Sequence, residues 1–364
     1  VVGAGKELPE DFSPQRMAAK REAMIAESER RTAAISKQRR DAESAFERDS
    51  QPYMDAISEQ SRALDADVQK SGELDMANTL REKFPGPGSD ARVAQLEKEY
   101  AQTQAARAAA DQHATALIPS WQKAQTNFNS ASDQANKDYE EMNAELRAKY
   151  VNAPGSAADL SQVSFNPARI LGPRDASGHR HYQTVAPQSY ADGVKAVSQI
   201  IGQGAVTDKF SPTINQRTNV PGGRAYHSTG YSPQVGGSIT TGKNPPTSTI
   251  VHEMGHAVED GINGASEAIW QHIDSRTQGE TPQSLRKLTG GGYRTDEVAK
   301  PDQFANPYMG KTNYGRSASE FLSMSLQYMY QDPVGFAKKD PQSFDFASGL
   351  LAQARSNNGT IPLP

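Results

Sequence analysis

Cysteine is absent from the 364-residue chain, which excludes disulfide staples, thiolate metal sites and cysteine nucleophiles. The compartment stays open, because secreted, injected and cytosolic proteins can all lack cysteine. No stretch approaches the ~18 consecutive apolar residues of a membrane-spanning helix, so no membrane span is expected. A charge excess is lacking too. The 39 Lys and Arg against 43 Asp and Glu give a net charge of −4, which offers nucleic acid no electrostatic footing. Hydrophobic residues make up only 35%. Counting Gly and setting Tyr aside gives about 39%, below the roughly 45–50% of globular chains. A modest core carrying long, wet helices fits that balance, and the length allows two or three domains of about 150 residues. The chain opens Val1-Val2-Gly3 without an initiator Met, the expected look of a processed product or of a piece of a longer protein.

Glycine is scarce where the chain begins. Of 29 Gly, only Gly3, Gly5, Gly72, Gly86 and Gly88 precede residue 154. Ser13-Pro14 reads as an N-cap followed by Pro in the first helical turn. Ala, Glu, Arg, Lys and Gln then dominate to residue 50, and a second helical stretch is expected over 51–84. Pro85-Gly86-Pro87-Gly88 is a stop, after which Ser89 is expected to cap a helix towards Tyr150, bent or broken at Pro119. Trp121, Ala124, Phe128, Ala131, Ala135, Tyr139, Met142, Leu146 and Tyr150 step by three or four along one face. The expectation is a helical hairpin or coiled-coil arm over 1–150, either a docking arm or a plain spacer.

Residues 151–364 read as a head, giving an α+β protein overall. Short β-type segments around 210–220, 223–231 and 234–241 suggest a small antiparallel sheet or ribbon. Helices are expected near 189–202, 247–263, 266–275, 281–288, 318–331 and 341–352, with a loop at Gly290-Gly291-Gly292.

Chemistry concentrates in His252-Glu253-Met254-Gly255-His256. Histidines four apart lie one turn apart on one helix face, so both imidazoles can reach a single Zn²⁺. Glu253 falls beside them, placed to accept a proton from a water whose pKa the metal lowers towards about 7. Thr247, Ser248 or Thr249 can cap this helix, with Ile250 and Val251 starting its core face. Two histidines leave a zinc site incomplete. The metzincin pattern fails, because Glu259 and Ile262 stand where Gly and His are needed. Glu259 is close in the helix and suits a supporting position. Glu267, Glu280, Glu297, Glu320 and Asp296 remain as third ligands. Glu320 has the best context, at the start of a helix capped by Ser317 or Ser319. Its apolar residues Phe321, Leu322, Met324, Leu326, Tyr328 and Met329 can pack on the core.

The string 252–260, followed by Tyr314-Gly315-Arg316 and Glu320-Phe321, resembles the peptidase domain of anthrax lethal factor and its relatives, including the Pro-Pro endopeptidases, which are gluzincins. The resemblance covers roughly residues 205–352. It implies a zincin-like head, His252, His256 and Glu320 as zinc ligands, Glu253 as general base, and Tyr314 as the hydroxyl facing the oxyanion. The Tyr-to-Glu interval is six here, one shorter than is usual in the family. In zincins a strand ahead of the zinc helix borders the cleft and pairs with an extended peptide, so His227 and Tyr231 are expected to contact substrate.

The expected activity is zinc-dependent hydrolysis of a polypeptide. The arm would dock the head to a larger protein assembly, as in a toxin, an effector or a phage-borne module that is secreted, injected or virion-associated. A structural virion or secretion-assembly protein with an inactive head is the competing expectation. A peptidase that processes its own parent chain is a third.

Overall fold

Helix-favouring side chains fill the glycine-poor part of the chain, and two long helices form from it. The computed structural model describes residues 13–362, apart from 167–168, 175, 185–186, 218–219, 221–223, 230–234, 313–315 and 317. Helix α1 is Pro14–Lys83 and helix α2 is Pro87–Leu146, closed by a π-turn at Arg147–Val151. Ser13 Oγ accepts from Arg16 N at 3.3 Å, as an N-cap does. Neither expected interruption occurs. Pro52 and Pro119 lie inside continuous helices, and both are exposed, so the carbonyls they leave unbonded face water. Helix α2 begins at Pro87 rather than behind a Ser89 cap, and the Ser89 hydroxyl donates back to Gly86 O at 2.8 Å.

The described contacts divide the chain into two compact units, Arg30–Glu141 and a second made of Val1–Glu29 with Met142–Pro364. The first unit is an antiparallel pair of helical segments. As position rises along α1 the partner falls along α2: Phe46 meets Phe128 and Tyr53 meets Trp121, with ring centroids 5.3 and 5.2 Å apart. Gln60 then donates to Asp111 at 2.8 Å, and Lys70 bonds Glu99 at 2.8 Å. Ala77, Val93 and Leu96 form a small core, joined by Leu74. Buried Asp67 is held by Arg107 at 3.0 Å. Few large side chains turn inward, and the seam is lined mostly by small ones, Ala56, Ala110, Ala114, Ala124 and Ala135, all buried.

The second unit contains the chemistry. Its ends of the long helices bury Met24, Met142 and Leu146 and are tied by Arg21–Asp345 at 3.0 Å and Lys149–Glu27 at 2.6 Å. Strands β1 (Ser164–Asn166), β4 (Thr213–Gln216), β5 (Tyr226–Ser228) and β6 (Ser238–Thr241) make one sheet in the order β1-β4-β6-β5. The first three run parallel, and β5 lies antiparallel at the edge, His227 opposite Ile239. This mixed sheet replaces the expected antiparallel ribbon. Strands β2 (Arg169–Arg174) and β3 (Arg180–Thr184) form a separate hairpin.

Helices α3 (Gln188–Ile201), α4 (Thr247–Gly261) and α7 (Phe321–Gln331) pack around one core. Tyr190 of α3 reaches Thr241 of β6 at 2.6 Å. Two glycines allow close helix approach. A Cβ on Gly193 would meet Ile250 Cγ2 at 2.6 Å, and one on Gly255 would meet Ser323 Cα at 2.4 Å, so α3, α4 and α7 touch backbone to side chain or backbone. Helices α5 (Ala265–Arg276), α6 (Leu285–Thr289), α8 (Pro333–Lys339) and α9 (Pro341–Ser356) complete the unit, with a short ribbon of β7 (Gln283–Ser284) and β8 (Val298–Ala299). The helix expected over 281–288 is in fact β7 followed by α6.

Candidate metal centre and cleft

Helix α4 is amphipathic in a way that aims its motif. Ile250, Val251, Met254, Ala257 and Val258 are all fully buried, leaving His252, Glu253 and His256 to line a cleft of about 1290 Å³. The helix starts on Pro246, whose carbonyl accepts from Thr249 N at 3.0 Å. None of the expected Thr or Ser caps is used. Helix α7 starts at Phe321 with Glu320 as its N-cap residue, and Ser319 Oγ accepts from Phe321 N at 3.3 Å. Ser317 lies outside the described residues.

The close α4–α7 approach brings Glu320 to the two histidines. Its Oε2 lies 3.4 Å from His252 Nε2 and 3.2 Å from His256 Nε2, and one donor atom from each residue falls within 4.8 Å of the others. Glu320 Oε2 is buried with no well-aligned hydrogen bond among the described residues. Burial pushes this carboxyl up, but the two imidazoles outweigh it and hold the group well below the usual carboxylate range. Burial lowers the His256 imidazole, yet Glu320 and the neighbouring carboxylates raise it to about 9. A buried carboxylate that stays ionised beside two imidazoles could serve as a metal donor together with them. Two imidazoles and one carboxylate oxygen form a donor set that suits zinc and leaves further coordination positions open.

The surroundings orient these groups. His252 Nδ1–H donates to Gln327 Oε1 at 3.0 Å, and the Gln327 amide nitrogen is fixed by Gln331 at 3.1 Å. The bond sets the His252 tautomer and leaves Nε2 as the lone-pair donor. Gln327 stands seven residues after Glu320 on the same face of α7, so this polar residue in an apolar helix carried a readable signal that sequence reasoning missed. Glu259 accepts from Ser266 and Ser319, each at 2.8 Å, and burial raises its carboxyl to about 7. It holds Ser319, the residue before Glu320, and is not one of the three clustered donors. Lys311, fully buried, ion-pairs with Glu297 at 2.9 Å and reaches Glu320 Oε1 at 3.5 Å. Glu253 is buried at 5% exposure, and burial raises its carboxyl above the ordinary value.

No known protein family, curated protein or solved structure matches this chain. The site must therefore be read from its own residues. The other third-ligand candidates are engaged elsewhere. Glu267 accepts from Gln271, Glu280 from Asp302 N, Glu297 from Lys311, and Asp296 faces Arg294. His227 sits behind His256, rings 5.9 Å apart, and its Nε2–H donates to Gly236 O at 2.7 Å. Burial pushes this imidazole down to about 4, so it is a neutral ring at the cleft wall. Tyr231 and Tyr314 lie outside the described residues. A different tyrosine is at the site: Tyr308 stacks near His252, ring centroids 6.4 Å apart, and its hydroxyl accepts from Arg224 at 3.1 Å and from Lys311 at 3.4 Å. Nothing local in the sequence marks Arg224, from a loop, or Tyr308 and Lys311, which belong to a single 3-10 turn and its C-cap.

Proposed function

We propose that this protein is a zinc-dependent endopeptidase. One observation carries the reading: His252 and His256 from α4 converge with buried Glu320 from α7 in a cleft that also contains Glu253. Bound there, zinc supplies Lewis acidity towards water and a peptide carbonyl. His252, His256 and Glu320 hold the ion. Gln327 keeps His252 in the tautomer that presents Nε2, and Glu259 anchors Ser319 so that Glu320 keeps its direction. Glu253 is the general base. Its burial raises the carboxyl, making it a better proton acceptor than an exposed glutamate. The open edge of β5 borders the cleft and suits an extended polypeptide added as a further strand, with His227 within that strand. Tyr314, on the resemblance to the lethal factor peptidases, is the hydroxyl donor towards the oxyanion, and Tyr231 a substrate contact.

The arm is proposed to dock the head to a larger assembly, as a toxin, effector or phage-borne module requires. Met54, Leu64, Val68, Met76 and Leu80 on α1, and Phe84 just beyond it, are exposed, an apolar surface that suits a partner. The same feature favours the second reading, a structural assembly protein whose head does no chemistry. Elemental analysis of the purified chain separates the two, beside Glu320→Ala and Glu253→Gln. The enzyme reading expects about one zinc per chain, lost in Glu320→Ala and kept in Glu253→Gln, with peptide cleavage abolished in both. A chain that binds no metal under zinc-replete conditions overturns it.

A further inference from the structure

Charge is distributed unevenly in the cleft. Its carboxylates lie deep, with Glu253, Glu297 and Glu320 all 5% exposed or less. Glu320 belongs to the donor cluster and Glu297 is paired with Lys311. Its exposed charges are cationic: Arg224, Lys243 and Arg294, of which Arg294 faces Asp296 at 3.5 Å. Arg224 differs from the other two in being held. Its guanidinium lies 5.3 Å from the Tyr293 ring centroid and 5.7 Å from that of Tyr308. One amino group donates to the Tyr308 hydroxyl at 3.1 Å, and the other approaches Glu297 Oε1 at 3.5 Å. Glu297 also ion-pairs with buried Lys311 at 2.9 Å, so Arg224 is not its sole partner.

We propose that Arg224, held against the paired rings of Tyr293 and Tyr308, is a subsite for a substrate carboxylate near the scissile bond. Half of its side chain, 51%, is exposed, and among the described residues two of five N–H donors are engaged. A planar fork already immobilised by two rings loses little further freedom when it grips a carboxylate through paired hydrogen bonds. Its place fits a neighbouring substrate residue. Arg224 and His252 both lie near the Tyr308 ring, 5.7 and 6.4 Å from its centroid, which puts them no more than about 12 Å apart. An extended peptide advances about 3.3 Å per residue, so the recognised carboxylate falls within about three residues of the bond that is cut. An Asp or Glu side chain and a free C-terminus offer the same group.

The inference rests on the peptidase reading, and one experiment tests both separately. The zinc-loaded full chain is incubated with a mixed peptide pool having free or amidated C-termini, and the new termini are sequenced. Asp or Glu within three residues of the cut should be enriched roughly tenfold, the discrimination expected of one charge-assisted contact. Loss of cleavage on amidation instead identifies the C-terminal carboxylate. Arg224→Gln should remove the preference, and Arg224→Glu should turn it towards Lys and Arg, with zinc content unchanged in both. Glu253-dependent cleavage without any carboxylate preference in the wild-type chain overturns the proposal alone. So does a preference that survives both substitutions. Absence of Glu253-dependent cleavage overturns the peptidase reading, and the subsite with it.

Discussion

Replacing Gly255 by alanine tests whether the contact between α4 and α7 sets the metal geometry. The new Cβ would stand 2.4 Å from Ser323 Cα and 3.1 Å from Ser323 N and Cβ. Ser323 meets it with backbone, which cannot rotate away, so the helices must part by about 1 Å to restore ordinary contact. Gly255 adjoins His256, and Ser323 lies one turn after Glu320, so that separation passes directly into the distance between ligands. Metal sites tolerate about 0.2 Å. The stability effect should be small, because an overpacking cost of about 1–3 kcal/mol is partly offset by about 1 kcal/mol of helix propensity gained over glycine. Zinc affinity should fall at least tenfold, or about 1.4 kcal/mol. Competition against a chelating indicator reads the affinity, and urea unfolding of the metal-free chain reads the stability. Unchanged zinc affinity in a folded Gly255→Ala protein would refute the argument that this contact positions Glu320.

His272 gives a pH test away from the metal. Its ring stacks on Phe346 with centroids 4.0 Å apart, and burial, followed by the Arg276 charge, pushes its imidazole down to about 3. The unfolded chain therefore binds this proton first. Stability is complete above about pH 6.5 and should fall by up to about 1.4 kcal/mol per pH unit as pH drops towards 3. His272→Phe should flatten the urea midpoint between pH 6.5 and 4.5 by about one proton relative to wild type, and parallel profiles would disprove the assignment. Tyr314→Phe should lower turnover without changing zinc content, and unchanged turnover would remove Tyr314 from the mechanism.

The helical arm was legible because its composition and its three-and-four stepping both demand helix. Its continuity was not. Pro52 and Pro119 read as breaks, yet each sits on an exposed face while Tyr53 and Trp121, next along or nearby, pack on the inner one. The spacing of His252 and His256 put both on one face of α4, and Ile250 and Val251 showed which face of that helix turns inward. Glu320 was recoverable from its place ahead of an apolar helix. Strand β1 was not, and the β-type segment around 210–220 contains β4 without revealing its parallel pairing, since three or four residues carry too little periodicity and the partners come from distant chain. The same reason hides Arg224, Tyr308 and Lys311. Their relationship is made by loops that the core positions, and no local pattern encodes it.

The route between the ligands has a consequence for a chain without cysteine. His256 and Glu320 belong to touching helices, but about 64 residues of chain run between them, so an ion gripped by both ends cross-links a long loop. Closing a loop of that length with a disulfide removes enough unfolded-state entropy to be worth about 4 kcal/mol. An ion can impose much of the same constraint. With zinc bound as proposed, the centre would be a fastener as well as a reagent. Its loss would loosen α5, α6 and the β7–β8 ribbon, which all lie within that loop, before the helical arm is disturbed.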